Sequence, residues 1–178
     1  MSLVPATERF ALRLPQPNDA ERIAIYLNDF GVAGNLARVP HPYRLSDARA
    51  WLRTRRNDLP PEETNFVIDW PGEGLVGQVG FHRRDRDTIL GYWLGRPFWG
   101  RGIMTEATIG AVDWLFATTR QQQIMSGVFA FNAASWAIQR KLGFLETGRS
   151  TLLCLARGEE VEHIDTELTR ARWTQDSQ

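Results

Sequence analysis

Ile89-Leu90-Gly91-Tyr92-Trp93-Leu94-Gly95-Arg96-Pro97-Phe98-Trp99-Gly100-Arg101-Gly102-Ile103-Met104-Thr105-Glu106 is the stretch on which the fold turns. Its first six residues are apolar or β-prone and read as a strand. Beyond Gly102 the residues Met104, Ala107, Ala111, Val112, Leu115 and Phe116 recur at helical spacing. A strand therefore passes through a glycine-bearing loop directly into a helix. The start of such a helix leaves backbone N–H groups without intrahelical partners, its dipole favours an anion, and glycine lets a phosphate approach the main chain. Arg101 adds a positive charge at that point. A tight turn that uses glycine only for positive φ explains the same residues, and the stretch alone leaves both readings open. Two other phosphate motifs fit less well: no Gly-Lys followed by Ser or Thr is present, and Thr105 stands where a dinucleotide fingerprint needs its third glycine.

Working outward, residues 124 to 131 read as a strand, and Ala134, Ala137, Ile138 and Leu142 mark a further helix. Gly143 and Phe144 end it, glycine as the left-handed cap and phenylalanine as its apolar contact. Residues 145 to 155 and 162 to 169 read as two more strands joined at Arg157-Gly158-Glu159. Upstream, residues 65 to 70, 75 to 82 and 88 to 94 read as an antiparallel meander, with the charged run His82-Arg83-Arg84-Asp85-Arg86-Asp87 as its polar turn. The chain opens with a leader, residues 1 to 6, and an alternating strand over residues 8 to 14. A helix follows, capped by Asn18 with Glu21 three residues on and running to about Asn28. Residues 29 to 45 read as loop or very short helix, and a second helix starts at Ser46 and Asp47 and stops before Pro60-Pro61. Strand, two helices, three strands, helix, strand, helix and two strands predict an α+β (mixed α/β) sheet with parallel and antiparallel neighbours. All 178 residues read as one domain.

Twenty-one basic and 21 acidic side chains cancel, so no global field draws nucleic acid or an anionic membrane, and phosphate binding has to be local. The single cysteine, Cys154, cannot form an intramolecular disulfide, and no Cys/His cluster points to a metal. The first twenty residues lack the apolar run of a signal peptide and no later stretch is long enough to cross a bilayer, which leads us to expect a cytoplasmic protein without a membrane partner.

Gly91-Tyr92-Trp93-Leu94, followed by Trp99 through Ala107, resembles motif A of the GNAT acetyltransferase superfamily, in particular the branch that acetylates ribosomal-protein N-termini. Asn132-Ala133-Ala134-Ser135, ending in Lys141-Leu142-Gly143-Phe144, resembles that family's motif B. The opening Thr7-Glu8-Arg9-Phe10 through Asp19-Ala20 is similar as well, so the likeness spans nearly the whole chain. The resemblance implies a strongly twisted mixed sheet of six to seven strands, flanked by helices and splayed between the fourth and fifth strands. Acetyl-CoA would lodge in that V and leave as coenzyme A. By the same resemblance the pyrophosphate rests on the loop of Trp99, Gly100, Arg101, Gly102, Ile103, Met104 and Thr105. The pantetheine pairs like an added strand with Trp93 and Leu94. The Leu94 N–H serves the oxyanion, Ser135 protonates the departing sulfur, and Asn132 holds the pantetheine arm. Without the family, Asn132 reads as a helix cap and Ser135 as an ordinary first-turn serine.

Two departures stand out. Pro97 occupies a position where the family usually has Gln or Arg, and Ile89 stands where the ribosomal branch often has a glutamate. A missing carboxylate favours acceptors that are partly neutral without a base. An α-amine, with a reference pKa of about 7.7 to 8.0, meets that condition, and a lysine at about 10.4 does not. His41, His82 and His163 are isolated, Glu106 reads as a dipole partner in a first helical turn, and Trp93 and Trp99 flank the loop. The expected acceptor is a protein N-terminus or a small amine-bearing molecule, and a homodimer is compatible with the resemblance. The competing class is a non-catalytic acyl-CoA-binding or sensing domain; a nucleotide-binding module is the third.

Overall fold

The computed structural model describes residues 4–56 and 58–176, so the first three residues of the expected leader lie outside the described residues. Along the chain come β1 (Ala11–Arg13), α1 (Ala20–Leu27), α2 (Phe30–Ala33), α3 (Leu45–Arg53), β2 (Asn65–Trp70), β3 (Gly74–Arg84), β4 (Asp87–Leu94), α4 (Ile103–Thr118), β5 (Gln123–Phe129), α5 (Ala133–Lys141), β6 (Leu145–Cys154), β7 (Glu159–Thr169) and α6 (Arg170–Asp176). The strands form one seven-stranded sheet in the order β1-β2-β3-β4-β5-β7-β6. Every neighbour is antiparallel except β4 and β5, which run parallel and meet only at Ile89 and Met125. Past that single pair the two strands part, so the sheet is splayed where the resemblance implied.

Over β2 to β4 both faces of the sheet are covered. On one, α4 lays Ile103, Ala107, Ala111 and Leu115 against Phe66, Phe81, Leu90 and Leu94, all buried. On the other, Ile23 and Leu27 of α1 and Ala48 of α3 pack on Val67 and Leu75. Helices on both faces explain why β3 is buried from Leu75 through Phe81 instead of alternating with solvent. Gly95, directly after β4, has a packing reason: a Cβ there would stand 2.8 Å from the Tyr26 ring of α1.

Several local expectations are corrected. Asn18 does not cap α1; it lies inside a 3-10 turn, Pro17–Asp19, and Asp19 instead accepts from the Gln16 N–H and pairs with Arg13 at 2.7 Å. The run His82 to Asp87 is mostly strand, because Asp85, with φ of 56°, makes the turn tight enough for Arg84 to pair with Asp87. The helix expected to run toward Pro60 ends at Arg53. The expected first strand shrinks to three residues, and α6 is a helix that the sequence reading did not include, whereas the four-residue α2 is the very short helix allowed for between 29 and 45.

Candidate active site

The register of β4 decides what the splay offers a ligand. Gly95 donates its N–H to the Val76 carbonyl at 2.8 Å, and β3 and β4 keep one register from Gly77 opposite Leu94 to Arg84 opposite Asp87. Alternate residues of an antiparallel strand direct their main-chain groups to the same neighbour. Ile89, Gly91 and Trp93 therefore bond to β3, and Leu90, Tyr92 and Leu94 turn their N–H and C=O groups toward β5. The Leu90 carbonyl is taken by Ser126 Oγ at 3.0 Å and the Leu94 carbonyl by Trp99 Nε1 at 2.7 Å. What faces the gap is the Tyr92 N–H and C=O and the Leu94 N–H, beyond the one point where β4 and β5 pair. Trp93 contributes its side chain on the opposite face, where its indole donates to Gln78 Oε1 at 3.0 Å.

Two residues past Leu94 the chain turns through a 3-10 segment, Arg96–Phe98, and then through Gly100 and Gly102, with φ of 73° and 70°. Only glycine adopts that region without strain. The first helical bond of α4 runs from the Glu106 N–H to the Gly102 carbonyl at 3.1 Å. The amides of Ile103, Met104 and Thr105 precede it and have no acceptor among the described residues. Three donors at the positive end of a 16-residue helix suit a pyrophosphate.

Glu106 fixes this helix start. It accepts the N–H groups of Glu8 at 2.8 Å and Arg9 at 3.0 Å and the Arg9 Nε at 2.6 Å, and Arg9 Nη1 reaches the Arg101 carbonyl at 2.9 Å. Burial raises the Glu106 pKa, but the bonds from Arg9 and Glu8 outweigh it and hold the carboxyl below its ordinary value. Glu106 is thus an ionised tether and not a base. Glu106→Gln is expected to weaken coenzyme binding by about five- to tenfold, the loss of roughly 1 to 1.5 kcal/mol of hydrogen bonding, with calorimetry as the check.

Across the splay, the Asn132 side chain accepts the Ser135 N–H at 3.1 Å, so Asn132 does cap α5. Ser135 Oγ lies 2.7 Å from the Tyr92 hydroxyl, which places α5's first turn over the unpaired edge of β4. Below it Gln139, 1% exposed, donates to Ser126 Oγ at 2.9 Å and accepts from Thr166 Oγ1 at 2.6 Å. The described residues hold no cluster of His, Cys, Asp or Glu fit for a metal, and none of their helices is long and apolar enough to cross a membrane.

Residues 9–145 match the family model described as an acetyltransferase (GNAT) domain. The chain belongs to the GNAT acetyltransferases. YdaF of Bacillus subtilis (strain 168), provisionally named a ribosomal N-acetyltransferase, is 27% identical over 176 residues, covering 93% of this chain and 94% of YdaF. The [ribosomal protein uS5]-alanine N-acetyltransferase of Escherichia coli (strain K12) is 32% identical over 112 residues, 61% of this chain and 58% of that one. Among solved structures, the microcin C7 self-immunity acetyltransferase MccE, in complex with acetyl-CoA and AMP, superposes with a TM-score of 0.77 at 20% identity, covering 91% of this chain and 93% of that one. This chain is accordingly an enzyme that uses acetyl-CoA to acetylate an amine nitrogen.

In this GNAT acetyltransferase residues 29 to 45 bridge the two sides of the splay. Asp29 pairs with Arg96, one bond measuring 2.6 Å, beside the loop of Gly100 and Gly102. At the other end the Gly34 carbonyl accepts Arg157 Nε at 2.8 Å and the Ala37 carbonyl accepts the Leu155 N–H at 3.0 Å. The Arg157 guanidinium lies 4.3 Å from the centre of Phe131, the residue before Asn132. The acetyltransferase offers no free carboxylate at Ile89, which is buried. The residue opposite Ile89 is His82, whose pKa falls to about 4 through burial and then through Arg38, Arg84 and Arg55. Arg38 contacts His82 Nε2; since arginine only donates, Nε2 accepts and the ring proton sits on Nδ1. His82 is therefore not poised as a base near neutral pH. The sequence alone assigns no role to Tyr92 or Gln139, because their partners lie 43 and 27 residues away.

Proposed function

We propose that this acetyltransferase moves the acetyl group directly from acetyl-CoA to an α-amine, that of a protein N-terminus or of a small amine-bearing molecule. The observation that carries the reading is the continuity of unpaired donors: the Leu94 N–H faces the splay, and the free amides at the start of α4 follow within one short loop. Acetyl-CoA supplies an activated thioester; the chain supplies binding, orientation and hydrogen bonds. The backbone from Gly100 to Thr105, with Trp99 and Arg101 beside it, would hold the pyrophosphate. The Tyr92 and Leu94 edge would hold the pantetheine amides, and Asn132 the arm nearer α5. The Leu94 N–H would stabilise charge developing on the carbonyl oxygen. Ser135 would serve the sulfur as the C–S bond breaks with its electron pair, while the nitrogen forms the new C–N bond and releases its proton to solvent. Residues 1–178 are read as one catalytic unit. Two relatives named for ribosomal N-acetylation support the α-amine over other acceptors.

With Ile89 apolar and His82 held near 4, no described side chain on this part of β3 and β4 is matched to deprotonate an ammonium near pH 7. The nucleophile then has to arrive neutral. On a peptide with a free α-amine, kcat/KM should rise with pH and level off near the amine's own pKa, about 8. A peptide whose only amine is a lysine side chain should react at least about tenfold more slowly at pH 7.5, since its neutral fraction is smaller by roughly two orders of magnitude. Faster turnover of the lysine peptide would refute this reading.

A further inference from the structure

We infer that Tyr92 is a positioning residue for the sulfur step: its phenol orients the Ser135 hydroxyl so that the serine proton points at the coenzyme's sulfur. This inference rests on the reading above in assigning Ser135 to the sulfur, and it adds a second residue from the opposite side of the splay.

The geometry comes from two elements, β4 and α5, that meet at this contact. Tyr92 belongs to the row of β4 residues, with Leu90 and Leu94, that faces the α4 core, and its ring packs against that core. Its hydroxyl stands 2.7 Å from Ser135 Oγ and 3.4 Å from the Ser135 carbonyl. Either hydroxyl could donate, but a phenol is the more acidic, and the stronger arrangement has the more acidic O–H donating to the alcohol oxygen. That leaves the serine's own hydrogen free for a third group. Burial pushes the Tyr92 pKa upward, against bonds from Ser135 and Gln139 that lower it, so the phenol stays a donor at physiological pH.

The groups beside this pair are held in place by their own hydrogen bonds. Gln139 receives the Thr166 hydroxyl on Oε1, which settles its amide orientation, and gives its N–H groups to Ser126 Oγ and to the Gly127 carbonyl at 3.2 Å. Ser126 in turn donates to the Leu90 carbonyl. No ionisable side chain comes from β5, and Arg140 and Lys141 lie at the far end of α5. The nearest carboxylate on α4's first turn, Glu106, is taken by Arg9. On this side Arg157, over the Phe131 ring, is the charged group close to α5's start; the hydrogen bonds to a thiolate would come from the hydroxyls, and a chain of two hydroxyls polarises more than one alone. Tyr92 gives up no proton in this scheme; it holds the serine.

Coenzyme A itself is the probe, because its thiol titrates without any acceptor. The thiolate's ultraviolet absorbance is followed against pH with coenzyme A bound, and the same titration with desulfo-coenzyme A is subtracted. Relative to the unmodified enzyme, Tyr92→Phe and Ser135→Ala should each raise the bound thiol's pKa by about one unit, a tenfold smaller thiolate fraction. The double variant should go no higher than Ser135→Ala, while affinity for the protonated coenzyme stays within about twofold in all of them. A thiol pKa unmoved by Tyr92→Phe, or two shifts that add in the double variant, overturns the inference. Failure of coenzyme A to bind overturns it together with the proposed function; the expected shifts without turnover of α-amine peptides count against the acceptor assignment only.

Discussion

Gly102→Glu should weaken acetyl-CoA binding by at least about a hundredfold, and this is one of the two largest effects we expect. The position caps α4 with φ of 70° and opens three amides that have no acceptor among the described residues. Losing two charge-assisted hydrogen bonds to phosphate costs about 3 to 6 kcal/mol, or roughly 10² to 10⁴ in affinity. The new carboxylate would also stand beside the amides proposed to receive the pyrophosphate charge. Space is not the obstacle, because a Cβ at this position meets only Arg9 Nη2, at 3.6 Å. Backbone strain of about 1 to 2 kcal/mol is shared by any side chain there, so Gly102→Asn, whose residue tolerates left-handed φ best, is the control. It should bind far more tightly than the glutamate variant. Calorimetric titration of both, after circular dichroism has confirmed folding, makes the comparison.

The second large effect is expected from Leu94→Pro set against Leu94→Ala. Both remove the buried side chain, which is 9% exposed, and only proline removes the N–H. That N–H faces the splay and not β3, so its loss breaks no ladder bond. Proline also keeps Trp93 in the extended region it already occupies as a strand residue. The two variants should therefore bind acetyl-CoA to within about tenfold of each other, whereas kcat of the proline variant should lie a further 10²-fold or so lower, the scale on which one oxyanion donor acts. Equal kcat in the two variants would remove Leu94 from the chemistry.

Much of this was legible because it is written locally. β2 spans the same residues, 65 to 70, that its β-prone run marks in the sequence, and the passage from β4 into α4 follows from an apolar strand, a loop with glycines and a helical period. Gly143, with φ of 88°, closes α5 as a left-handed cap, as its place before Phe144 suggested. The parallel contact of β4 with β5 followed from the family likeness and not from spacing. Composition could not show that the charged run His82 to Asp87 is paired strand, since exposed strand ends tolerate charge and the turn takes only two residues. Asn18 had the right residue type for a cap, but the chain enters α1 through a 3-10 turn that Asp19 stabilises with Arg13.

The site divides along the same line. Gly100 to Thr105 and Leu94 follow one another in sequence, so reading the chain in order finds them. The parity that turns Leu94 and Tyr92 toward the splay, and Trp93 away from it, depends on the register with β3. Tyr92 on Ser135, Trp99 on the Leu94 carbonyl and Arg9 on Glu106 are contacts of folded neighbours, and a single sequence carries no signal for them.

The most direct test of the account is an amide nitrogen–proton NMR titration of the assigned protein with acetyl-CoA. We predict saturable shifts concentrated at Tyr92, Leu94, Gly100 through Thr105 and Ser135, with β1, β2 and β6 little affected. Saturable shifts centred on another part of the sheet, or no shifts in a folded sample, would contradict the claim that the splay between β4 and β5 is where this enzyme holds its coenzyme.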